Sequence, residues 1–539
     1  MAKEKESDKK MFVGVIWNCA SELKLLLTAL LILCSLATLF QFLPSRFSLS
    51  PSDLRLCLSR LSSLAPPPPP PPSPSPSPSP SPSPPPSPPP LLSPPPPPPP
   101  LLSPPPPPPP SVQEDQILDG GTIIKRAFNP YGAAAYSFIL MSSYRGGLNT
   151  FAVIGLASKP LHVYGKPRYE CEWVTTNHSV TTVGYKILPD WGYGRVYTVV
   201  VVNCTFPEAV GSDGLGGHLV IHASTRGGGD RDVDSTEKIE ALREAPGTLN
   251  ASIFTSPPLY DYLYCGSPLY GNLSPQRLRE WIAYHVRLFG VKSHFVIYDA
   301  GGIHSEVLEV LRPWMEKGFV TLQDVRAQER FDGYYHNQFL VVNDCLHRYR
   351  FMAKWIFFFD VDEFVFVPHK TTIGSVLDTL SDYTQFTIEQ MPMSNKLCLA
   401  VDAGKTVRWV TDYSFFLPLC ARVYREWGFE KLVYRDVKKG IRRDRKYAIQ
   451  PRNAYATGVH MSQNVAGKTL HKTERRIMYF HYHGTVAERR EPCRQLVNET
   501  TLTFEGTPYV LDATLRGAAK LVKRFELKTI GSRLQRTRQ

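Results

Sequence analysis

Three acidic residues that could hold a metal ion stand directly after a strongly apolar stretch. Asp360, Asp362 and Glu363 follow the run from Trp355 to Phe359. Such a run is typical of a strand buried on both faces of a mostly parallel sheet, where ligands bind beyond the carboxyl ends of strands. Asp360 and Asp362 are two residues apart, so their carboxylates lean to the same side of an extended chain and suit Mn²⁺ or Mg²⁺. A solvated turn is the alternative for the three acids alone, but the strand before them favours a metal site.

The alternation of strands and helices around these acids predicts an α/β domain. Short strands are predicted at Tyr260–Cys265, His294–Tyr298 and Phe319–Leu322, ahead of the strand that the acids follow. A helix between the first two begins near Pro275, because proline suits the first helical turn. This order predicts parallel strands joined by helical crossovers, so the acids would terminate the fourth strand of the sheet.

Residues 1–110 have the composition of a membrane anchor followed by an extended stem. Lysine-rich residues 1–24 precede an apolar segment at 25–43, which is long enough to span a hydrocarbon core of about 30 Å; a cleaved signal peptide is the alternative. The lysines favour a cytosolic tail and a lumenal body. Residues 44–110 hold most of the 51 prolines, in Ser-Pro repeats and polyproline blocks that prefer a polyproline II stem. The Asn-x-Ser/Thr sequons all follow this stem, which agrees with a lumenal body.

Residues 111–245 predict a β-rich module of their own. Short strands separated by turn signals indicate an antiparallel sandwich. Trp173, Trp191 and Tyr193 could stack on sugar rings, as in carbohydrate-binding modules; the alternative is that they fill the core of the sandwich. Residues 227–245, rich in glycine and charge, are predicted to form a linker to the domain at 246–539.

The charge balance indicates an acidic partner. The chain of 539 residues has a net charge of +13. The predicted anchor and the sequons argue against nucleic acid, which leaves another acidic polymer as the partner that two basic clusters would attract. These clusters are residues 435–446 and a C-terminal amphipathic helix within residues 516–538, and a solvated surface is the alternative for each. Seven cysteines beyond the stem could form disulfides, whose pairing the sequence leaves open.

Five short motifs together resemble glycosyltransferase family 92. The resemblance implies a GT-A fold and an inverting transfer of galactose from UDP-galactose to β-1,4-galactan, the side chain of pectic rhamnogalacturonan. It also implies Mn²⁺ (or Mg²⁺) as cofactor and a type II membrane protein of the Golgi, a compartment whose transferases are often homodimers. The motifs are Tyr264-Cys-Gly-Ser-Pro-Leu-Tyr-Gly271, His294-Phe-Val-Ile-Tyr-Asp-Ala-Gly-Gly302, Phe359-Asp-Val-Asp-Glu-Phe364, Gly458-Val-His460 and His481-Tyr-His-Gly484.

The resemblance assigns metal ligands. Asp360 and Asp362 match the Asp-x-Asp motif of the family. Asp362 is expected to bind the metal directly, and Asp360 to lie nearer the ribose or a metal-bound water. His460 is expected to be a further ligand, with a buried structural histidine as the alternative. Asp362 would thereby take part in catalysis, because the metal neutralises charge that develops on the UDP leaving group.

The resemblance and the ends of the predicted strands indicate where the donor binds. The expected donor-binding or site-lining residues are Tyr264, Cys265, Gly266, Ser267, Asp299, His336, Asp360, Lys431, His481 and His483. For Asp299 the alternative role is to cap the turn that follows it. For Lys431 the alternative is a solvated surface charge.

An inverting transferase also needs a base that takes the proton from the acceptor hydroxyl. Glu430 is the first candidate, followed by Glu389 and Asp412, and a plain ion-pair partner is the alternative for Glu430. Two other functions stay open. One is a glycosyltransferase that uses another UDP-sugar, and the other is a non-catalytic carbohydrate-binding cell-wall protein.

Overall fold

The computed structural model describes residues 112–132, 136–158, 167–189, 196–224, 236–331, 335–368, 370–400, 427–439, 444–487, 489–490, 493–534 and 537, which all belong to one compact unit, Pro104–Gln539. The predicted cytosolic tail, membrane anchor and stem lie outside the described residues. Within the described ranges, no helix combines the length and the apolar character that crossing a bilayer requires.

Ten strands precede the α/β domain in the described part of the chain. They are β1 (Gln116–Leu118), β2 (Ile123–Lys125), β3 (Asn129–Tyr131), β4 (Phe138–Arg145), β5 (Thr150–Ser158), β6 (Arg168–Val174), β7 (Ser179–Ile187), β8 (Tyr197–Thr205), β9 (Gly217–Ser224) and β10 (Thr236–Glu244). Strands β3 to β10 form one antiparallel sheet of eight strands, in the order β10-β9-β6-β7-β8-β5-β4-β3. β10 occupies much of the segment predicted to be a linker, and that prediction is therefore wrong for residues 236–244.

The eight-stranded sheet curls around an apolar core of its own. β10 comes to lie against β4, where Arg145 Nε donates to Glu244 Oε1 at 2.6 Å. Trp173 lies inside this curl, is 1% exposed and stacks on Phe151. The suggestion that Trp173 offers a sugar-binding platform is therefore wrong, because apolar burial of its large ring outweighs exposure to solvent. Trp191 and Tyr193 lie outside the described residues.

The remaining described strands and helices build the α/β domain. The strands are β11 (Tyr260–Cys265), β12 (Ser293–Asp299), β13 (Val320–Asp324), β14 (Ala353–Phe358), β15 (Glu363–Phe366), β16 (Gln385–Pro392), β17 (Leu397–Leu399), β18 (Tyr434–Asp436), β19 (Asp444–Ile449), β20 (Ala454–Ala456), β21 (Asn464–Val465), β22 (Thr469–Leu470), β23 (Met478–His481), β24 (Gln495–Val497), β25 (Thr501–Phe504) and β26 (Thr507–Leu511). The α-helices are α1 (Pro275–Phe289), α2 (Ser305–Glu316), α3 (Gln338–Arg348), α4 (Ile373–Asp378), α5 (Gly428–Lys431) and α6 (Thr514–Ile530).

The order of the strands brings the ends of β11 and β14 together at the centre of the main sheet. Strands β13, β12, β11 and β14 are neighbours in that order, and all three pairings are parallel. This is the order of a doubly wound sheet, in which the winding reverses between the first and fourth strands and leaves a crevice beyond their carboxyl ends. The motif acids follow β14, as the sequence predicts, and therefore stand at this crevice.

Beyond β14 the main sheet is mixed rather than mostly parallel. β19 pairs antiparallel with both β14 and β16, and β15 pairs antiparallel with β23. At the opposite edge β2 pairs parallel with β13, although residues 116–125 were predicted to belong to the β module. These partners are far apart in sequence, so no local periodicity reveals which strands meet.

Helix α3 lies between the two sheets and joins them. Its apolar residues share one core with β4, β5 and β8 on one side and with β11 and β14 on the other. Asp344, which is fully buried on this helix, accepts hydrogen bonds from Ser142 Oγ at 2.7 Å, Tyr144 Oη at 2.6 Å and Tyr298 Oη at 2.7 Å. Arg126 neutralises this carboxylate at 2.9 Å. These buried contacts tie the β module to the α/β domain.

The opposite face of the main sheet is covered by α1, α2 and α6. The C-terminal helix α6 is amphipathic, as predicted, and buries Leu515, Ala519 and Val522, whereas Leu521 is 50% exposed. Buried Glu526 accepts two hydrogen bonds from Arg279 on α1, at 2.8 and 2.6 Å.

Candidate active site

The carboxyl ends of β11 and β14 approach so closely that Gly266 has no room for a side chain. A Cβ atom there would overlap the Tyr264 hydroxyl and lie 2.9 Å from the carbonyl oxygen of Phe359. Tyr264 is 2% exposed, and its hydroxyl has no hydrogen-bond partner among the described residues. Burial, together with the nearby acids, raises the pKa of Tyr264. Tyr264 and Gly266, both predicted donor-binding residues, therefore form the packed floor beneath the acids.

Asp360 is held in place by residues from three other segments. Ser267 Oγ donates a hydrogen bond to Asp360 Oδ1, and Gln338 Nε2 on α3 donates to Ser267 Oγ at 2.5 Å. Lys446 Nζ on β19 lies 2.6 Å from Asp360 Oδ2. Burial by itself would raise the pKa of Asp360, but Lys446 and these hydrogen bonds bring it below its ordinary value. Asp360 is therefore a fixed, charged carboxylate.

Asp362, His481 and His483 form a group of potential metal ligands in the described part of the chain. One ligand atom from each residue lies within 4.8 Å of the others. The antiparallel pairing of β15 with β23 sets His481 opposite Glu363, and Gly484 N donates to Asp362 Oδ2 at 2.9 Å. Strand pairing across more than a hundred residues therefore builds this group.

His481 is the more buried imidazole of the group and lies beside two acids. Its Nε2 lies 3.5 Å from Asp362 Oδ1, and its Nδ1 lies 2.5 Å from Nε2 of Gln390. Burial lowers the pKa of His481, but Asp362 and Glu363 outweigh that effect and raise the pKa to about 9. Because a metal binds the neutral imidazole, coordination at this residue would release a proton.

Glu363 supports the acids from inside the protein. It is 1% exposed, and its Oε2 accepts a hydrogen bond from Asp360 N at 2.7 Å. Lys446 Nζ lies 3.6 Å from the same oxygen. Burial raises the pKa of Glu363 to about 7. Its carboxylate points toward neighbouring protein groups rather than toward solvent.

The residues present fit a transition metal better than Mg²⁺. Mg²⁺ prefers an octahedron of oxygens, whereas imidazole nitrogens are ligands of transition metals. Two imidazoles and one carboxylate therefore favour Mn²⁺ over Mg²⁺. His483 is exposed while His481 and Asp362 are half-buried, so one side of the group faces solvent, where a ligand could approach.

Two predicted donor-binding residues are engaged in the fold itself. Asp299 Oδ1 accepts hydrogen bonds from Gly301 N at 2.8 Å and Ile303 N at 3.0 Å, which matches the turn-capping alternative. Cys265 is fully buried in a disulfide with Cys345 on α3. Its sulfur therefore ties the end of β11 to α3 and offers no free thiol to a ligand.

His336 lies at the rim of the same crevice. Its ring stacks on Tyr270 with 3.7 Å between centroids, and its Nδ1 lies 3.0 Å from a carboxylate oxygen of Glu329. Tyr335, His336 and Asn337 all have positive φ, between 50° and 57°. Three consecutive left-handed residues other than glycine are strained, and they place Gln338 at the start of α3, where it reaches Ser267.

His460 does not belong to the described ligand group. It is exposed in the turn after β20, while the group that lies within 4.8 Å consists of Asp362 and the two histidines of the β23 end. The loop that carries His460 is anchored by its neighbour Gly458, whose carbonyl oxygen accepts a hydrogen bond from Tyr447 Oη. Among the described residues, His481 and His483, and not His460, lie within ligand distance of Asp362.

Glu430 takes part in a structural contact, the alternative that the sequence left open. Its Oε2 accepts a hydrogen bond from Trp427 N at 2.6 Å, which caps α5, and pairs with Lys523 on α6. Lys431 is the last residue of the same short helix. Glu389 lies on β16 beside Met478 of β23, and Asp412 lies outside the described residues.

Sequence reasoning missed one supporting side chain and misplaced another. Gln390 belongs to no motif, and only the pairing of β16 with β23 brings it to His481. The segment from His336 to Gln338 was predicted to face the sugar, and the structure shows Gln338 donating to Ser267 instead. Lys446 was assigned to an exposed basic cluster, yet it is 5% exposed. The apolar residues 447–449 that follow it are the signal that could have indicated a buried strand.

Comparison with known proteins agrees with the motifs. The profile of glycosyltransferase family 92 matches residues 260–517. The chain is 56% identical over 550 residues to galactan beta-1,4-galactosyltransferase GALS3 of Arabidopsis thaliana, and 55% identical over 551 residues to GALS2 of the same plant, with 100% of both chains covered in each case. It is also 27% identical over 176 residues to beta-1,4-galactosyltransferase galt-1 of Caenorhabditis elegans, which covers 32% of this chain and 38% of the relative.

A doubly wound half-sheet with an acidic motif at its crevice, together with these similarities, defines an enzyme of the glycosyltransferase class. The chain belongs to glycosyltransferase family 92.

Proposed function

We propose that this protein transfers galactose from UDP-galactose to β-1,4-galactan in a metal-dependent, inverting reaction. The observation that carries the proposal is the group formed by Asp362, His481 and His483 at the crevice beyond β11 and β14. Nucleotide ligands bind at such crevices, and a divalent metal next to carboxylates can bridge to a diphosphate. The order β13-β12-β11-β14 with an Asp-x-Asp motif after β14 supports a GT-A fold, which we propose for this domain.

The chain's own residues have distinct tasks in this proposal. Asp362, His481 and His483 would hold the metal, which supplies positive charge to the departing diphosphate. Asp360, fixed by Ser267 and Lys446, presents a charged carboxylate at the end of β14. Buried Glu363 keeps the motif backbone in place through Asp360 N and thereby sets where the neighbouring carboxylates point.

The acceptor proposal rests on the relatives. GALS3 and GALS2 carry galactan in their names, and each aligns with the whole of this chain at more than half identity. We extend that acceptor to this protein, and we retain the Golgi and a single N-terminal anchor as the proposed location. The location rests on the sequence of residues 1–110 alone.

The test is a transfer assay with the full-length chain. The protein is incubated with β-1,4-galactooligosaccharides and a panel of UDP-sugars, with Mn²⁺ or with a chelator, and added residues are counted by mass spectrometry. Extension by hexose from UDP-galactose, with Mn²⁺ only, is expected. Asp362→Asn should abolish extension, whereas Asp382→Asn, an exposed aspartate in the turn before β16, should leave it unchanged.

Other outcomes of this assay separate the alternatives. Extension with a different UDP-sugar would overturn the donor and keep the metal-dependent mechanism. Galactan binding without extension by any donor would contradict the enzymatic proposal and favour a carbohydrate-binding role.

A further inference from the structure

Lys446 is buried beside the motif acids. Its side chain is 6% exposed, and it is the one buried lysine among the described residues. Nζ lies 2.6 Å from Asp360 Oδ2 and 3.6 Å from Glu363 Oε2. A buried ammonium is costly unless it is paired, so this lysine and the two acids must stay together.

Both carboxylate oxygens of Asp360 are already engaged by the protein. Oδ1 accepts a hydrogen bond from Ser267 Oγ, which Gln338 holds from α3, and Oδ2 pairs with Lys446. Asp362, two residues on, meets other groups: its Oδ2 accepts a hydrogen bond from Gly484 N, its Oδ1 faces His481, and its carboxylate belongs to the ligand group. The two aspartates of the motif therefore meet different partners.

We propose that Lys446 is a positioning residue that withholds Asp360 from the metal, so that the metal is bound by Asp362, His481 and His483. This inference rests on the proposed function and specifies how its metal site is built. Drawing Asp360 onto the metal would leave the Lys446 ammonium buried beside Glu363 alone, which opposes that movement. The ligand set then carries one negative charge instead of two, which leaves the bound metal more positive toward a diphosphate.

Removing Lys446 should free Asp360. The Lys446→Met substitution keeps a long, unbranched side chain but removes its charge. Asp360 then loses its counter-charge and can reach the metal. Mn²⁺ binding should therefore tighten by about tenfold, since a repelling charge is removed and a ligand is gained. In an Asp360→Asn background the same change should tighten binding much less, because there is no carboxylate to release.

The two aspartates supply the comparison that decides the question. Asp362→Asn removes a direct ligand and should weaken Mn²⁺ binding by more than about 100-fold. Asp360→Asn removes a carboxylate that does not bind the metal directly, and it should weaken Mn²⁺ binding by about tenfold or less. Lys446→Arg keeps the charge and should retain the wild-type affinity.

The measurement is the concentration of free Mn²⁺ by electron paramagnetic resonance during titration of the full-length protein and each variant, which does not depend on turnover. A large loss of affinity in Asp362→Asn, a small loss in Asp360→Asn, and a gain in Lys446→Met that depends on Asp360 would support the inference. Equal losses in Asp360→Asn and Asp362→Asn, or the same effect of Lys446→Met in both backgrounds, would overturn it. Should Lys446→Met fail to fold, the aspartate variants still test the ligand set, and equal losses in Asp360→Asn and Asp362→Asn would still overturn the inference.

The experiment also separates this inference from the proposed function. Absence of Mn²⁺ binding by the wild-type protein would overturn both. Binding that requires Asp362, but in which Lys446→Met has the same effect with and without the Asp360 carboxylate, would overturn the inference alone.

Discussion

Asp362 and His481 face one another across paired strands, with 3.5 Å between Asp362 Oδ1 and His481 Nε2. The backbone of the histidine segment is bound to the same aspartate, because Tyr482 N donates to the Asp362 carbonyl oxygen at 3.0 Å and Gly484 N donates to its carboxylate. The segment from His481 to Gly484 is therefore hydrogen-bonded to the acidic motif, and the two segments form one site.

Replacing either histidine of this segment should weaken metal binding. His481→Gln and His483→Gln each remove an imidazole from the ligand group, and each should raise the Kd for Mn²⁺ by at least about tenfold. His460→Gln is the matched control and should leave the Kd unchanged, since His460 is exposed outside the described group. A larger effect from His460 than from His481 would contradict this assignment of ligands. Calorimetric titration with Mn²⁺ gives the three values.

A methyl group at Gly266 should disrupt the floor of the site. The Cβ of Gly266→Ala would overlap the Tyr264 hydroxyl, and we expect a loss of about 3 kcal/mol in unfolding free energy, together with reduced transfer activity. Gly517→Ala on the exposed face of α6 is the control, because a Cβ there meets nothing within 4 Å. That change should stabilise the protein by about 0.5–1 kcal/mol. Urea denaturation measures both, and a neutral Gly266→Ala would show that β11 and β14 can separate.

Neutralising Glu430 should affect stability more than catalysis. Its carboxylate caps α5 and pairs with Lys523, so Glu430→Gln should lower the unfolding free energy by about 1 kcal/mol. We expect kcat to stay close to the wild-type value. A large fall in kcat with unchanged stability and KM would instead restore Glu430 as the acceptor base. Steady-state kinetics and thermal unfolding of the same preparation separate these outcomes.

Acid should unfold the protein through its buried neutral histidines. Burial lowers the pKa of His285 to about 3, of His294 to about 4 and of His347 to about 3. In the unfolded chain these groups take up protons near their ordinary pKa of about 6.5, whereas in the folded chain they stay neutral. The contribution of these three histidines to stability is therefore complete above about pH 6.5 and is lost as pH falls toward 4, at about 1.4 kcal/mol per pH unit for each histidine.

His285→Gln tests this source of acid sensitivity. The Nδ1 of His285 pairs with the carbonyl oxygen of Trp281, and its Nε2 accepts a hydrogen bond from Val365 N, so an amide can replace both contacts without titrating. Between pH 4.5 and 6, unfolding of the variant should take up about one proton fewer than unfolding of the wild-type protein. The slope of unfolding free energy against pH should therefore fall by about 1.4 kcal/mol per pH unit. An unchanged slope would contradict the assignment.

Local patterns in the sequence were sufficient to predict the parallel half of the main sheet. The strand predicted at Tyr260–Cys265 has those bounds in the structure, and helix α1 begins at Pro275 as expected. The acids at the end of β14 were found for the same reason, since a buried apolar strand and the polar residues that follow it are neighbours along the chain.

The ligand group and its supports were decided by tertiary structure. His481 reaches Asp362 because β23 pairs with β15, and Lys446 reaches Asp360 because β19 pairs with β14. The sequence left Trp173 open as a sugar-binding residue, but the curl of its sheet buries the ring. The sequence by itself determined the strands and the first helix of the parallel half and the acids that follow its last strand, because hydrophobic periodicity is a local property. Which distant strands pair, and therefore which charges and ligands meet, was settled only in the folded chain, because it depends on how all the apolar faces can be buried at once.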